Sequence, residues 1–494
     1  MTFIAGLNLT EWFKDSISST LGFTTATVNA EPVHILNGVL AQSLEGPRAP
    51  KLAQALISKK SGSWATSDSI LRRTAERSNI PLVLPADPLE LGSLRNLLRE
   101  LLGSDGAVFT AEQSYQVAHP GFVTTDRTGA QMGRLCASLL LHHAHAGPEV
   151  MALAERLCSP QPNPYWAVQS ALVGELTIDQ FSIPEVEPVP WAHDAKTDQF
   201  ANDLGGLLRR TVQLGSVAAD SLDALKVLAN AAEFVCVLAY AQVPSLMMYG
   251  AHTPLLVAVS QDAQTVRDAS ARGSLPSVHA AMDTWVASRL QKTVSERLGA
   301  EVTDRSTVES FLASTIPYGR GAQQKRSEKS QKVIEKSKEM LAQYLPVGLS
   351  GEFDLSEPAA LALLDMLRAT MAQGYSHWFE HHAKRCGFLA PRRGRTIKRL
   401  CVEATLATTL VLAAVEEDEA SLPYNEWLTR LHSRYGIIVG PASQARHMSP
   451  RASEYDLEEN RDALAVLLTR IGLARAYSDN TVEVLNPLQI WKTA

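Results

Sequence analysis

LEENRDALAVLLTRIGLARAYSDNTVEVLNP, residues 457–487, holds the plainest architectural signal in the chain. Leu457, Leu464, Leu467, Leu468 and Ile471 recur at helical spacing and predict a helix with one buried face, closed by Gly472. The remainder splits into two short β-prone runs around Ser478, Asp479 and Asn480, which predicts a hairpin. Upstream, IKRLCVEATLATTLVLAAV (397–415) predicts a strong helix that ends in the acidic cluster Glu416 to Glu419. LPYNEWLTRLHSRYGIIVG (422–440) predicts a second, with Trp427, Leu428, Leu431 and Tyr435 on its apolar face and Gly436 as its cap. Three helices and a terminal hairpin give the C-terminal region a winged helix-turn-helix outline.

The same 3.6-residue period dominates the rest of the chain. PLELGSLRNLLRELLG (88–103) sets seven leucines on a broad stripe, and residues 129–146 and 219–241 read the same way. Strand-like runs are few: 81–85, 255–260 and 482–485. The expected fold class is mostly α, a multi-domain helical protein with a C-terminal winged-helix-like module. FSIPEVEPVPWAH (181–193), with three prolines and no helical period, reads as an extended linker. A glycine- and charge-rich break, YGRGAQQKRSEKSQK (318–332), gives way to a surface helix from Val333 onward. These breaks divide the chain into an N-terminal helical domain (1–182), a linker (183–195) and a central helical domain with a short strand (196–317). A basic, partly flexible helical connector (318–350) then leads to the C-terminal domain (351–494).

At 494 residues, 45 % of them hydrophobic and 20 % charged, with a formal net charge of −6, the composition is that of a folded protein with no overall pull toward polyanions. Any basic surface must be local. Five scattered cysteines (Cys136, Cys158, Cys236, Cys386, Cys401) never form C-x-x-C and fit reduced thiols. No basic-then-apolar leader opens the chain. The most apolar stretch, 231–251, carries Glu233, Gln242, Pro244 and Ser245, so it reads as a buried core helix followed by a loop rather than a membrane span. A cytoplasmic location without membrane association is the expectation.

Two histidine clusters invite a metal reading. His377, Glu380 and His381 stand as H-x-x-E-H, where two imidazoles one turn apart can grip Zn²⁺ while the glutamate activates water. This resembles the inverted zinc motif of the insulin-degrading peptidase family, whose third ligand is a downstream glutamate; Glu458 or Glu459 would take that role. The alternating strands and helices that frame the family motif are missing here, which leaves a packed helix around Trp378 and Phe379 as the leading reading. His142 and His145 lack a neighbouring carboxylate or cysteine and read as the end of an apolar helix. There is no phosphate-loop, nucleophile-elbow or dinucleotide motif. No cofactor and no small-molecule substrate is implied.

The basic runs are the stronger signal. Residues 384–399 contain Lys384, Arg385, Arg392, Arg393, Arg395, Lys398 and Arg399 and no acidic residue. Such a concentration in an acidic chain suits non-specific binding to a phosphate backbone, DNA sooner than RNA. A second run, Arg320 to Lys338, interleaves Glu328 and Glu335 and reads as a charged surface. The third helix of the winged-helix outline carries Asp456, Glu458, Glu459 and Asp462 against Arg461 and Arg470. A negative helix repels a groove lined by phosphates, so this module is expected to dock protein. A protein-only scaffold remains the alternative, with a zinc hydrolase third.

CGFLAPRRG (386–394) with its following helix, LPYNEWLTRLHSRYGIIVG, and LLTRIGLARAYSDNTVEVLNP (467–487) together resemble the C-terminal part of accessory proteins found in bacterial antiphage defence systems. HTPLLVAVSQDAQTVRDAS (252–270) adds to the likeness. The resemblance covers about a third of the chain and brings no catalytic motif. It implies a non-enzymatic subunit of a multi-protein antiviral complex, partnered by the other subunits.

Overall fold

A computed structural model describes residues 6–25, 32–47, 55–60, 62–77, 83–102, 131–158, 178–217, 221–299, 302–315, 354–370, 374–391, 397–441, 452–478 and 481–493. The connector predicted at 318–350 lies outside them, as do Arg392, Arg393 and Arg395.

In the N-terminal part, helix α1 (Pro32–Ser43) buries Ile35, Leu36, Val39 and Leu40. The hairpin of β1 (Lys59–Lys60) and β2 (Ser63–Trp64) follows, then α2 (Asp68–Glu76) and α3 (Pro88–Leu102). Arg95 of α3 fastens this group. It donates to the carbonyls of Leu56, Ala55 and Thr66, pairs with Asp68 at 2.8 Å and lies 4.1 Å over the Trp64 ring. α4 (Met132–Ser138) crosses α1 so closely that a Cβ at Gly133 would come within 2.4 Å of the Gly38 backbone. Only glycine permits that crossing.

The proline-rich segment is extended, as predicted, and it is also pinned. Ser182 forms a bridge with Glu45, and Phe181, Val189 and Trp191 belong to the main core. Beyond it α5 (Ala195–Val217) leads to α6 (Ser221–Tyr249), whose residues 231–243 are all buried. α6 has the length and composition to cross a membrane, yet 94 % of its most apolar window is buried inside the molecule, as in a core helix. Contrary to the expectation of a loop in the later part of 231–251, the helix continues through Pro244 to Tyr249, and Val243 and Leu246 stay buried.

The chain then forms β3 (Leu255–Leu256), α7 (Gln264–Ala269) and α8 (Leu275–Leu298). α9 (Ser356–Thr370), α10 (Gly374–Arg385), β4 (Leu389–Ala390), β5 (Arg399–Leu400) and α11 (Ala404–Ala414) follow. The C-terminal stretch is β6 (Ser421–Pro423), α12 (Tyr424–Tyr435), β7 (Ile437–Ile438), α13 (Glu454–Arg470), β8 (Ala474–Ala476) and β9 (Val482–Leu485). The molecule is mostly helical. α6 is its axis, packed by α1, α4, α5, α8, α10 and α11.

Several boundaries differ from the periodic reading. The helix expected from 397 begins at Ala404, because Arg399–Leu400 pairs antiparallel with Leu389–Ala390. Its backbone groups are taken by distant partners, the Leu400 carbonyl by the Ala258 amide and the Leu400 amide by Ser270 Oγ. The helix expected within 422–440 spans Tyr424–Tyr435 and ends at Gly436, its expected cap, but it lies between two strands that the apolar period does not predict. Of 255–260 only Leu255–Leu256 is strand; it pairs in parallel with Ile437–Ile438, an arrangement that joins the central and C-terminal parts. The predicted hairpin is present: β8 and β9 pair antiparallel, and β6 adds on the other side of β9. A second, smaller core under this module combines Leu256, Ala258, Ala263, Val266 and Ala269 with Ile438 and Leu457.

Candidate nucleic-acid interface

α10 is amphipathic, and its two faces explain the H-x-x-E-H motif. Tyr375, Trp378, Phe379 and His382 face the core. Trp378 lies against Phe23, and Tyr240 stacks on both Trp378 and Phe379. The histidine in the core is therefore His382, outside the motif. Its Nδ1 stands 2.7 Å from Oε1 of Glu233 on α6, with both side chains sealed from water. Beside this pair Asn230 donates to the Cys386 carbonyl and accepts from Thr409.

His377 and His381 occupy the outer face with ring centroids 6.2 Å apart. Burial, then the neighbouring His382, His377 and Lys384, pushes His381 down to about 4. Glu380 is held by Lys398, with Lys384 at 3.9 Å. Of the nominated third ligands, Glu459 accepts from Ser260 and Glu458 is exposed. Among the described residues no group of three or more His, Cys, Asp or Glu side chains is placed to hold a metal ion. In the second cluster His143, not His142 or His145, is the residue turned inward, with Nδ1 3.6 Å from Asp198 and Nε2 accepting from the Val189 amide.

The basic segment begins where α10 ends. Gly387 turns the chain at φ +83°, and a Cβ there would press to 2.9 Å from Glu403 Cβ. The two-residue pairing of β4 with β5 then fixes where the segment leaves and returns. Its described cations divide between two directions. Lys384 and Lys398 gather around Glu380; burial and the Lys398 charge push the Lys384 ammonium below its ordinary value. Arg385 lies 3.2 Å from Nε2 of His381, and burial lowers its guanidinium to about 10. Arg399 points the other way, donating to Oε1 of Gln261 at 3.2 Å. There it meets Arg267 of α7, which donates to the Gln261 carbonyl at 2.8 Å.

The acidic cluster downstream does not neutralise these cations. Glu416 pairs with Arg210 and Arg434, Glu419 with Arg430, and Glu417 with Arg209. Arg210, Arg430, Arg434 and the Tyr435 hydroxyl also donate to the last carbonyls of α11, which the helix itself leaves without partners. Sequence reasoning found Arg399 but missed Arg267 and Gln261. Nothing local marks them, since the pairing depends on where Ser270 and Ala258 dock the Leu400 backbone. In comparisons with protein families, with curated proteins and with solved structures, nothing matches this chain.

Proposed function

We propose that the chain is a non-enzymatic, cytoplasmic subunit of a bacterial multi-protein antiviral complex. It binds nucleic acid, for which DNA is the first candidate and RNA the second, without sequence readout, through Lys384, Arg385, Arg392, Arg393, Arg395, Lys398 and Arg399. The observation that carries this reading is the shortage of counter-charge. Among the described residues, Lys384 and Lys398 share one carboxylate, Glu380, while Arg399 faces another cation. Surplus positive charge at one place in a chain of net charge −6 favours a polyanion and leaves the bulk charge to discourage loose association.

Replacement of Arg392, Arg393 and Arg395 by alanine tests this. In a mobility-shift assay across a salt series, the slope of log affinity against log salt is expected to fall by about one for each lost phosphate contact. Affinity and slope equal to those of the parent chain would sink the reading.

Partner docking falls to the C-terminal module, which we read as a winged helix. The order α11–β6–α12–β7–α13–β8–β9, with sheet order β6-β9-β8 and β7 paired elsewhere, with β3, supports that reading. The outer stripe of α13 carries Tyr455 (74 % exposed), Glu458, Asp462 and Val466 (58 % exposed), a face of acids and bare apolar groups. This stripe also favours a second reading, a scaffold that meets protein alone. A purified complex that assembles normally and lacks all DNA affinity would select it.

A further inference from the structure

We propose that Arg267 and Arg399, one on each side of Gln261, form a seat for a single phosphate group. The seat deepens the nucleic-acid reading and rests on it for the source of the phosphate, but it is built from described residues alone.

Among the described residues, several buried or half-buried arginines come with a carboxylate: Arg95 with Asp68, Arg210 with Glu416, Arg430 with Glu419 and Arg434 with Glu416. Others, such as Arg72, Arg99 and Arg289, turn to backbone carbonyls or a tryptophan face. A guanidinium that leaves water loses hydration that a counter-ion restores. Arg267 and Arg399 differ from both groups by a buried donor left unused. Neither makes an ion pair among the described residues, and the nitrogen Nε of each is buried with no hydrogen-bond partner. Each spends one terminal nitrogen on Gln261. Burial and the Arg267 cation push the Arg399 guanidinium below its ordinary value, as repulsion between neighbours demands.

The two groups are nevertheless held together by backbone they cannot escape. β5 is fixed by Ser270 Oγ on the Leu400 amide and by the Ala258 amide on the Leu400 carbonyl. Arg267 is fixed by the α7 helix, whose Val266 and Ala269 are buried in the smaller core. Two forks of donors brought side by side, with unused N–H groups and no anion, present the complement of a tetrahedral oxyanion. Gln261 is exposed, so the seat opens to solvent at the surface.

A phosphate can come from a nucleic-acid strand or from solution, and two measurements on the full chain distinguish them. The first is the melting temperature in inorganic phosphate against chloride at matched ionic strength. The second is fluorescence polarisation with a labelled duplex oligonucleotide across a salt series. Arg267→Gln with Arg399→Gln is compared with Arg297→Gln, an exposed arginine on α8. If the strand supplies the phosphate, the double variant loses the stabilisation by phosphate and its salt slope falls by about two, while the control keeps both. Loss of the phosphate effect with unchanged oligonucleotide binding assigns the seat to a free phosphate group. No change in either overturns the seat.

Should the double variant not fold, the parent chain can be treated with phenylglyoxal and digested for mass spectrometry. Phosphate is expected to slow modification of Arg267 and Arg399 several-fold but not of Arg297; equal rates overturn the proposal. A parent chain that binds no oligonucleotide defeats the function proposed above and leaves the phosphate arms to decide the seat. Binding that is abolished at Arg392, Arg393 and Arg395 but untouched at Arg267 and Arg399 does the reverse.

Discussion

Asn460 is fully buried in α13 and uses its amide as a four-way joint. It donates to the carbonyls of Val257 at 2.8 Å and Val439 at 2.6 Å, and accepts from the amides of Val259 and Ser260. Replacing it with alanine strands four backbone groups away from water. The expected loss in a chemical-denaturation experiment is about 3 kcal/mol or more, since each unsatisfied buried group costs about 1–3 kcal/mol. A loss below about 1 kcal/mol would mean that water takes over these bonds. The leucines of α13 were legible because an apolar stripe repeats. Asn460 was not, because one polar residue on such a stripe carries no record of the carbonyls it will meet. The same limit hid Arg267 and the His382–Glu233 pair: they are defined by partners 130 or more positions away.

Among the elements, β3 and β7 show how short strands are set by their ends. Gly436 ends α12 in the left-handed conformation at φ +70° and delivers Ile437 straight into the pairing. Gln242 of α6 locks that corner, donating to the carbonyls of Thr253 and Tyr435 and accepting from the Thr253 amide. Gly436→Ala places a methyl group 2.8 Å from the Thr253 carbonyl oxygen and 2.9 Å from Gln242 Nε2. Left-handed strain alone costs about 1–2 kcal/mol, and the contact adds to it. A drop in thermal midpoint of several degrees is expected, and a neutral substitution would mean that the corner shifts freely. Gly436 was legible as a cap from its place after Tyr435. The strands beside it were not: two- and three-residue strands leave no alternation to count, and their pairing partners lie in other parts of the chain.

At the scale of the whole molecule, buried histidines set the response to acid. Burial, then the nearby His432, pushes His252 down to about 4; His381 is held at about 4, and burial also lowers His143, His279 and His432. A depressed histidine contributes stability that is complete above its unfolded value near 6.5 and is lost as pH falls toward 4. Asp203 acts in the opposite sense. Burial lifts it to about 6 against the opposing pull of Arg434, so its contribution is complete below its ordinary value of 3.8 and is lost as pH rises through 6. Five histidines against one aspartate predict a net loss of stability from pH 7.5 to pH 5, read as a falling denaturation midpoint. Asp203→Asn removes the compensating group, and the loss is expected to steepen. A midpoint that rises on acidification would contradict both statements.

The smaller core beneath the C-terminal module has a further consequence for how the protein is made. Val257 and Asn460, hydrogen-bonded to each other beside it, are 203 positions apart. A nascent chain released as far as α7 exposes Leu256, Ala258 and Val266 with nothing to cover them until Ile438 and Leu457 have been translated. A recombinant fragment that stops or starts within 316–353 inherits that half-built surface permanently. The two halves therefore call for joint synthesis or co-expression, and either one produced alone becomes a client for chaperones.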